Sequence, residues 1–543
     1  MKIDDKIYER YMEGERLPNY KTLSGIELKE CYGAVDIELE EESPGRFPFT
    51  RGIHPDMYRK RIWTRRQQSG YGLPEESNER MIFLLQHGMT GLNLDPDNPT
   101  KVGLDADHPL AEGEVGLQGT SFSTWEDMDI LFTNIPMEKV SSTLIVNSPI
   151  SGIILSMYLL VAKKRGIPLD SLRGTIMNCA ITQLIGPNYQ SITHFFPIDL
   201  AMKIACDVIE YSSQSMSHWN NININAYNMR EYCIDAIQEA AFAFTLAEDY
   251  IKLMIQRGLR IDDFAGRMAF FTSAHIDFLE EIAKLRAMRR IWAKLLKERY
   301  RAKEEKSCLF RTAIQTSGLV LTAQEPLNNI VRATIQTLAA VLGGAQSIHT
   351  TGYDEAYSLP TEASHKLSLR TQQVIAFETN VCKTVDPFGG SYAIEWLTKK
   401  LEEEILGLMG KIDSMGGFLQ CFKNGWVEDQ INESRNKWAK DLEEGEMLRV
   451  GVNIFDETKE EAKIDIFHHS PDAEEKRRRY VQNYKKNRHQ GETQHRLDQL
   501  YQKVRHEPET CCIPLIMDAL EAKATSGEIT DVFRKAYDFE IKM

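Results

Sequence analysis

An alternation limits this chain most. Between residues 51 and 390, short runs of β-forming residues recur, each followed by a longer stretch with helical spacing. The candidate strands are Gly91–Leu94, Ser142–Asn147, Gly174–Asn178, Asn221–Asn225, Arg267–Thr272, Phe310–Thr316, Ala345–Thr350 and Thr384–Asp386. They are short, and several are bounded by Gly or Asn. Residues 231–258 place Ile234, Ile237, Ala241, Phe244 and Ala247 at three- and four-residue steps and stop at Gly258. Residues 279–306 repeat the pattern with Leu279, Ile282, Leu285, Met288, Trp292 and Leu295. Strands alternating with helices predict an α/β fold, a parallel (β/α)8 TIM barrel over residues 51–390, larger than the usual ~250 residues. A doubly wound open sheet is the alternative.

The flanks read differently. Residues 1–50 are polar and acidic, with the run Glu38–Glu42, and predict an extended arm wrapped on a partner or on the main domain. Residues 391–543 predict a mainly helical region, with helices at 396–409, 427–442, 472–485, 493–504 and 514–524, and one extended link at 450–455. The basic run KRRRYVQNYKKNR (476–488) reads as a solvated helix face; the alternative is a docking surface for an acidic partner. The formal charge of -14 argues against general nucleic-acid binding. Nine cysteines without a CxxC pair fit reduced thiols in a cytosol. The charged N-terminus predicts no signal peptide. The longest apolar run, Ile150–Val161, is too short for a bilayer and is broken by Ser151, Gly152 and Ser156.

Phe47–Gly72 packs Arg51, Arg59, Lys60, Arg61, Arg65 and Arg66 among Trp63, Tyr58 and Tyr71. Guanidinium groups match phosphate bidentately, and Gly lets backbone approach a ligand, so this segment predicts a grip on a polyphosphate-bearing small molecule. A barrel's ligands meet strand C-terminal ends, where the sequence puts Asp95, Asp97, Asn147, Asn178, Tyr227, Asn228, Thr272, Gln315, Thr316, Gln346, Ser347 and His349. There is no Ser-His-Asp pattern, HExxH, Walker loop or Cys/His metal cluster. A polar site without acid/base machinery fits chemistry supplied by a cofactor and placement supplied by the protein.

Longer motifs carry a family resemblance. FTRGIHPDMY with RIWTRRQQSGYG, DADHPLAEGEVGLQG (105–119), ININAYNM (222–229), FAGRMAFF (264–271), RTAIQTSGLVLTAQEPLNNIVR (311–332), GGAQSIHTTGYDEAYSLPTE (343–362) and VDPFGGSY (385–392) resemble the large subunit of adenosylcobalamin-dependent acyl-CoA mutases. These are the methylmalonyl-, isobutyryl- and 2-hydroxyisobutyryl-CoA mutases. The resemblance covers roughly residues 45–455. It implies a barrel threaded by the pantetheine of coenzyme A, cobalt–carbon homolysis and a radical 1,2-shift of a thioester group. It implies CoA contacts at Arg61, Thr64, Arg66, Thr175, Arg267, Arg311, Gln315, Gln346 and Ser347. Gly318 and Glu355 match positions facing the corrin.

The departures from that pattern cluster. Asn228 stands where the family has a His bonded to the thioester carbonyl, beside Tyr227, and Met177 stands where it has Gln. Gln68 replaces the wedging Tyr, Asn93 a strand-one Ser, and Pro96 a nearby aromatic. The stretch Ile185–Pro197, which should hold the Arg clamping a second carboxylate, contains no Arg or Lys. Methylmalonyl-CoA is therefore not the expected substrate; a branched, hydroxylated or bulky acyl chain is, with a carboxylate held by the longer loop as the alternative. Asn228 remains the donor to the thioester carbonyl. None of the thirteen His follows an Asp by two positions, so the family's cobalt-ligand motif is absent, and a small cobalamin-binding subunit is the expected partner, in a heterotetramer. A catalytically silent CoA-binding or scaffolding subunit is the alternative function.

Overall fold

The computed structural model describes residues 19–181, 195–456 and 464–541. It is a mixed α/β protein with parallel sheets and a helical C-terminal region. The strands are β1 (Thr64–Arg66), β2 (Gln68–Ser69), β3 (Gly91–Leu94), β4 (Ser141–Leu144), β5 (Gly174–Ile176), β6 (Trp219–Asn220), β7 (Ile222–Asn225), β8 (Met268–Ala274), β9 (Arg311–Thr316) and β10 (Ser347–His349). The described residues fall into two compact units, one within Met1–Trp63, Ala226–Asp249 and Phe271–Phe467, the other within Thr64–Asn225, Tyr250–Phe270 and His468–Met543.

In the second unit the sheet runs β2-β3-β4-β5-β6, all parallel. Helix α1 (Pro74–Gln86) joins β2 to β3, and α2 (Ile150–Lys164) joins β4 to β5. The apolar run too short for a membrane is α2, buried from Ile150 to Ala162. A helix apolar all round must be covered all round. A Cβ on Gly152 would stand 2.8 Å from Ile204 of α3 (Ile198–Ser215) and 3.4 Å from Ile513, so Gly is required where these helices close on one another.

In the first unit β10 pairs parallel with β9, and β8 flanks β9 on its other side. The short helix α4 (Ala226–Arg230) and the long α5 (Ala236–Gln256) stand where one helix from 231 to 258 is expected. Cys233 between them has φ 71°, a left-handed turn that breaks the helix. Helix α6 (Phe278–Lys294) ends earlier than residue 306, in one π-turn (Leu295–Arg299). Its core packs Leu285 with Trp63, Ala274, Ile314, Val341 and Ile348. Residues 19–50 carry no long element; Glu40 and Glu42 reach Arg290 of α6 at 3.1 and 2.5 Å.

Two expectations about strands need correction. Thr384–Asp386 is not a strand: Asp386 is left-handed (φ 47°), its carboxylate is held by Arg51 at 2.9 Å and by Arg286, and Pro387 has no N–H to give a ladder. Strands β1 and β2 lie instead within the arginine-rich segment. Charge does not prevent pairing there, because Arg66 turns into the sheet. Its guanidinium donates to Leu92 O, to Ser141 O at 3.1 Å and to Ser141 Oγ at 2.6 Å.

The C-terminal basic run is only in part the solvated face expected of it: Lys476, Arg479 and Lys486 are exposed, but Arg477 is buried. It lies on α7 (Ala473–Lys486) and just beyond. Arg477 grips buried Asp127 with two bonds of 2.9 and 2.7 Å, Lys485 meets Asp107 at 2.7 Å, and Arg488 meets Glu528. Lys476, Arg478 and Arg479 pair with carboxylates four residues earlier on the same helix. A buried pair that loses one partner strands a charge. Arg477→Met should therefore cost about 3–5 kcal/mol in denaturant unfolding; a loss below about 1 kcal/mol would mean that Asp127 is solvated or rescued. Among the described residues no helix is long and apolar enough to cross a membrane.

Candidate active site

Strand β9 sets the geometry in the first unit. Alternate side chains share a face, so Arg311, Ala313 and Gln315 line one side. In register on β10, Ser347 pairs with Ala313 and His349 with Gln315. Four residues separate Arg311 from Gln315, about 13 Å of strand. One end of this face is thus cationic, its middle is small, and its far end is polar and buried.

The cationic end draws on a second segment. Lys60 and Arg61 are exposed at the end of a helical turn (Met57–Lys60). His54 is pushed below its ordinary value, first by burial and then by Arg311, Lys60 and Arg61. Among the described residues neither Lys60 nor Arg61 has an ion-pair partner, which suits an anionic ligand. Gln346, by contrast, spends its side chain on backbone: Oε1 accepts from Thr312 N at 2.8 Å and Nε2 donates to Gly344 O at 2.7 Å.

At the far end Gln315 Nε2 donates to Tyr227 Oη at 2.8 Å, and the Tyr227 ring lies 5.1 Å from Phe271. Burial, then Glu231 and Glu355, push the Tyr227 phenol well above its ordinary value, so it stays protonated. Half-buried Asn228 follows on the same helical turn. Glu231, four residues beyond Tyr227, was not singled out from the sequence; helical spacing is the signal that could have found it. Its Oε2 accepts from Leu319 N at 2.9 Å, and its Oε1 is buried with no partner. Burial lifts Glu231 to about 7. Solvent reaches Glu355, yet protein surrounds its carboxyl group, and desolvation followed by Glu231 and Asp354 lifts it to about 7 as well.

Gly318 stands between these carboxylates. A Cβ there would lie 3.4 Å from Glu231 Oε2 and 3.5 Å from Glu355 Oε1, with nothing closer. The glycine therefore leaves a recess floored by two carboxyl groups, one with an orphaned oxygen. An unpartnered acceptor in such a recess can take a hydrogen bond from a donor on a bound group.

The second unit offers a face of its own. Register aligns Gln68 with Asn93, Asn93 with Thr143, and Thr143 with Thr175. Leu92 and Leu94 point the other way and are buried. Asn93 Oδ1 and Thr175 Oγ1 are buried without a partner. Met177, just past β5, is buried, with its N–H on Leu144 O and its carbonyl taking Asn223 N. One step toward the strand N-termini lies Arg66, bonded as described, beside Thr64. Burial, then Arg173, lowers half-buried Arg267 from its ordinary value, marking a second cationic spot. The loop expected to hold a carboxylate clamp lies mostly in 182–194, outside the described residues. Among the described residues no group of three or more His, Cys, Asp or Glu is placed to hold a metal.

These faces belong to a chain with close relatives. The methylmalonyl-CoA mutase family model matches residues 21–539. The chain belongs to that family. It is 37% identical over 521 residues to the 2-hydroxyisobutanoyl-CoA mutase large subunit of Aquincola tertiaricarbonis, covering 95% of this chain and 92% of that one. It is 37% identical over 522 residues to the mitochondrial methylmalonyl-CoA mutase of Homo sapiens, covering 95% of this chain and 68% of the relative. The family's enzymes are isomerases that use adenosylcobalamin.

Glu231 gives a test of the recess. Its folded value of about 7 exceeds the ordinary 4.5, so folding takes up a proton between those limits and stability falls as pH rises through them. Glu231→Gln removes that penalty. Denaturant midpoints should favour Glu231→Gln at about pH 8 and converge with the parent below about pH 4.5; a constant difference would place the carboxylate in water.

Proposed function

We propose that this chain is the large, substrate-binding subunit of an adenosylcobalamin-dependent acyl-CoA mutase, catalysing a radical 1,2-rearrangement of an acyl group without a second carboxylate. The observation that carries the reading is the β9–β10 face: cations at one end, Gln315 and Tyr227 about 13 Å along it, and small residues between. An extended phosphopantetheine thioester has the same order, with phosphates at one end and the reacting acyl group at the other. The (β/α)8 barrel belongs to this reading.

Arg61 and Arg311 take the CoA phosphates. On this reading CoA contacts fall to Gln346 and Ser347 in the first unit, and to Thr64, Thr175, Arg267 and Arg66, already bonded to strand groups, in the second. Gln68, Asn93 and Met177 shape the acyl pocket. Asn228 donates to the thioester carbonyl and Gln315 orients the Tyr227 hydroxyl. Gly318, Glu231 and Glu355 form the recess for the adenosyl group. When bound, adenosylcobalamin supplies homolytic radical chemistry; this chain's groups bind, orient and exclude water around it. The relative named a large subunit implies a small one, and here a small cobalamin-binding subunit supplies the cobalt ligand, in a cytoplasmic heterotetramer.

A silent CoA-binding subunit is the second reading, favoured by Asn228 and Met177 in place of His and Gln. Electron paramagnetic resonance separates the two. The chain, a cobalamin-loaded small subunit and a panel of acyl-CoAs should give a coupled cobalt(II)–radical signal with at least one thioester. CoA binding without any signal would favour the silent subunit. Arg311→Ala should weaken CoA binding about tenfold by calorimetry, since a charge-assisted phosphate contact is worth about 1.5–3 kcal/mol; unchanged affinity would move the phosphate end elsewhere.

A further inference from the structure

The acidic arm lines a cavity of about 670 Å3 in the first unit. Helix α6 and the helix Tyr392–Ser414 bring Arg286, Arg290, Lys294, Thr398, Lys399 and Glu402 to the lining, and arm residues 37–43 complete it. The volume lies within the range of small-molecule sites, about 300–1,000 Å3. Between Ile37 and Glu42 the arm makes no backbone-to-backbone hydrogen bond. Side chains hold it instead: Glu40 and Glu42 reach Arg290, and Arg51 donates to Glu42 O at 3.1 Å.

Those arm carboxylates occupy the groups that an anionic ligand would use. Arg290 spends Nε on Glu402 at 2.9 Å, while its terminal nitrogens go to Glu40, Glu42 and, at 3.4 Å, Thr50. Lys294 shares Glu402 with Arg290, at 2.7 Å. Lys399 is exposed and has no ion-pair partner among the described residues. Thr398 is 3% exposed, and its Oγ1 is buried with no partner. A buried hydroxyl is normally satisfied, so Thr398 calls for a polar group in the cavity. With the arm displaced, the lining offers a guanidinium fork, two ammonium groups and a free hydroxyl, a set that matches phosphate oxygens. Displacement is cheap at one end, because the Glu40 side chain is 63% exposed and an exposed ion pair contributes little. At the other end burial pushes the Glu42 carboxyl above its ordinary value, so its charge is held there at a cost.

We propose that this cavity is a second anion site, taking the polyphosphate group of a small molecule through Arg290, Lys399 and Thr398, with Glu40 and Glu42 as a built-in competitor that vacates Arg290 when the ligand enters. Neither Arg61 nor Arg311 lines the cavity, so the site is separate from the proposed CoA phosphate contacts and does not depend on the mutase reading.

The test is calorimetry on the full chain with inorganic tripolyphosphate, run in an Arg311→Ala background that disarms the CoA face. Replacing Glu40→Gln and Glu42→Gln together should tighten binding about tenfold, since the competitor is gone. Adding Arg290→Gln to that variant should weaken binding about tenfold, and adding Lys399→Gln, at an exposed position, about threefold. Circular dichroism checks that each variant folds. An affinity that ignores the arm substitutions, or one that survives both Arg290→Gln and Lys399→Gln, overturns the inference. So does an absence of binding in the arm variant when Arg311 is replaced, which would give the anion to the CoA face. Poly-glutamate is the control ligand: its binding in place of tripolyphosphate would make the cavity a groove for an acidic segment of another protein and overturn the small-molecule site.

Discussion

A strand shows every second side chain to the same face, and β9 depends on that period. With Arg311 and Gln315 four positions apart, the anion-seeking and polar ends fall on one side, at a separation fixed by backbone geometry. Parallel pairing then brings Ser347 and His349 alongside without any choice of loop. A one-residue slip of β10 would send Ser347 and His349 to the opposite face, away from Arg311 and Gln315. The buried pairing of β9 and β10 is thus both the core of the first unit and the ruler for its ligand.

Charge is handled in two ways. Where it is structural, it is buried and paired: Asp127 takes Arg477, and Asp386 takes Arg51 and Arg286. Where it belongs to the proposed site, it is left short of partners. Lys60 and Arg61 have no carboxylate among the described residues, and Glu231 keeps an orphaned oxygen in a recess that a side chain on Gly318 would fill. Unspent hydrogen-bonding capacity costs stability, and it is tolerated here on faces that a ligand would complete.

Much of this was legible from the sequence. The candidate runs at Gly91–Leu94 and Phe310–Thr316 became β3 and β9 almost residue for residue, because apolar residues bounded by polar turns mark buried strands. Tyr227 and Gln315 were placed at strand ends, and the structure brings them into contact. What the sequence hid was charge turned inward. Arg66 and Arg477 read as surface or ligand cations, since composition does not say which carbonyl or carboxylate waits for them. The same blindness put a strand at Thr384–Asp386, where tertiary ion pairs hold a loop, and overlooked β1 and β2. Glu231 was missed because its four-residue step from Tyr227 was the one signal for it, at the end of a helix of five residues followed by a left-handed turn.

At the proposed acyl end the one change that removes a group titrating near neutral pH is Asn228, where the family pattern has a His. Gln68, Asn93, Met177 and Asn228 each lack formal charge, and none can serve as an acid near neutral pH. The residues that would grip CoA and face the cofactor keep their charge or their small size: Arg61, Arg311, Glu355 and Gly318. Drift after loss of function would spread over both sets, because nothing would protect a recess beside Gly318 or a cation at Arg61. A proposed acyl end that departs from the family pattern, beside a proposed binding end that keeps it, fits a pocket rebuilt for a different acyl group. The neutral row across β2 to β5 therefore favours a rebuilt pocket over a silent one.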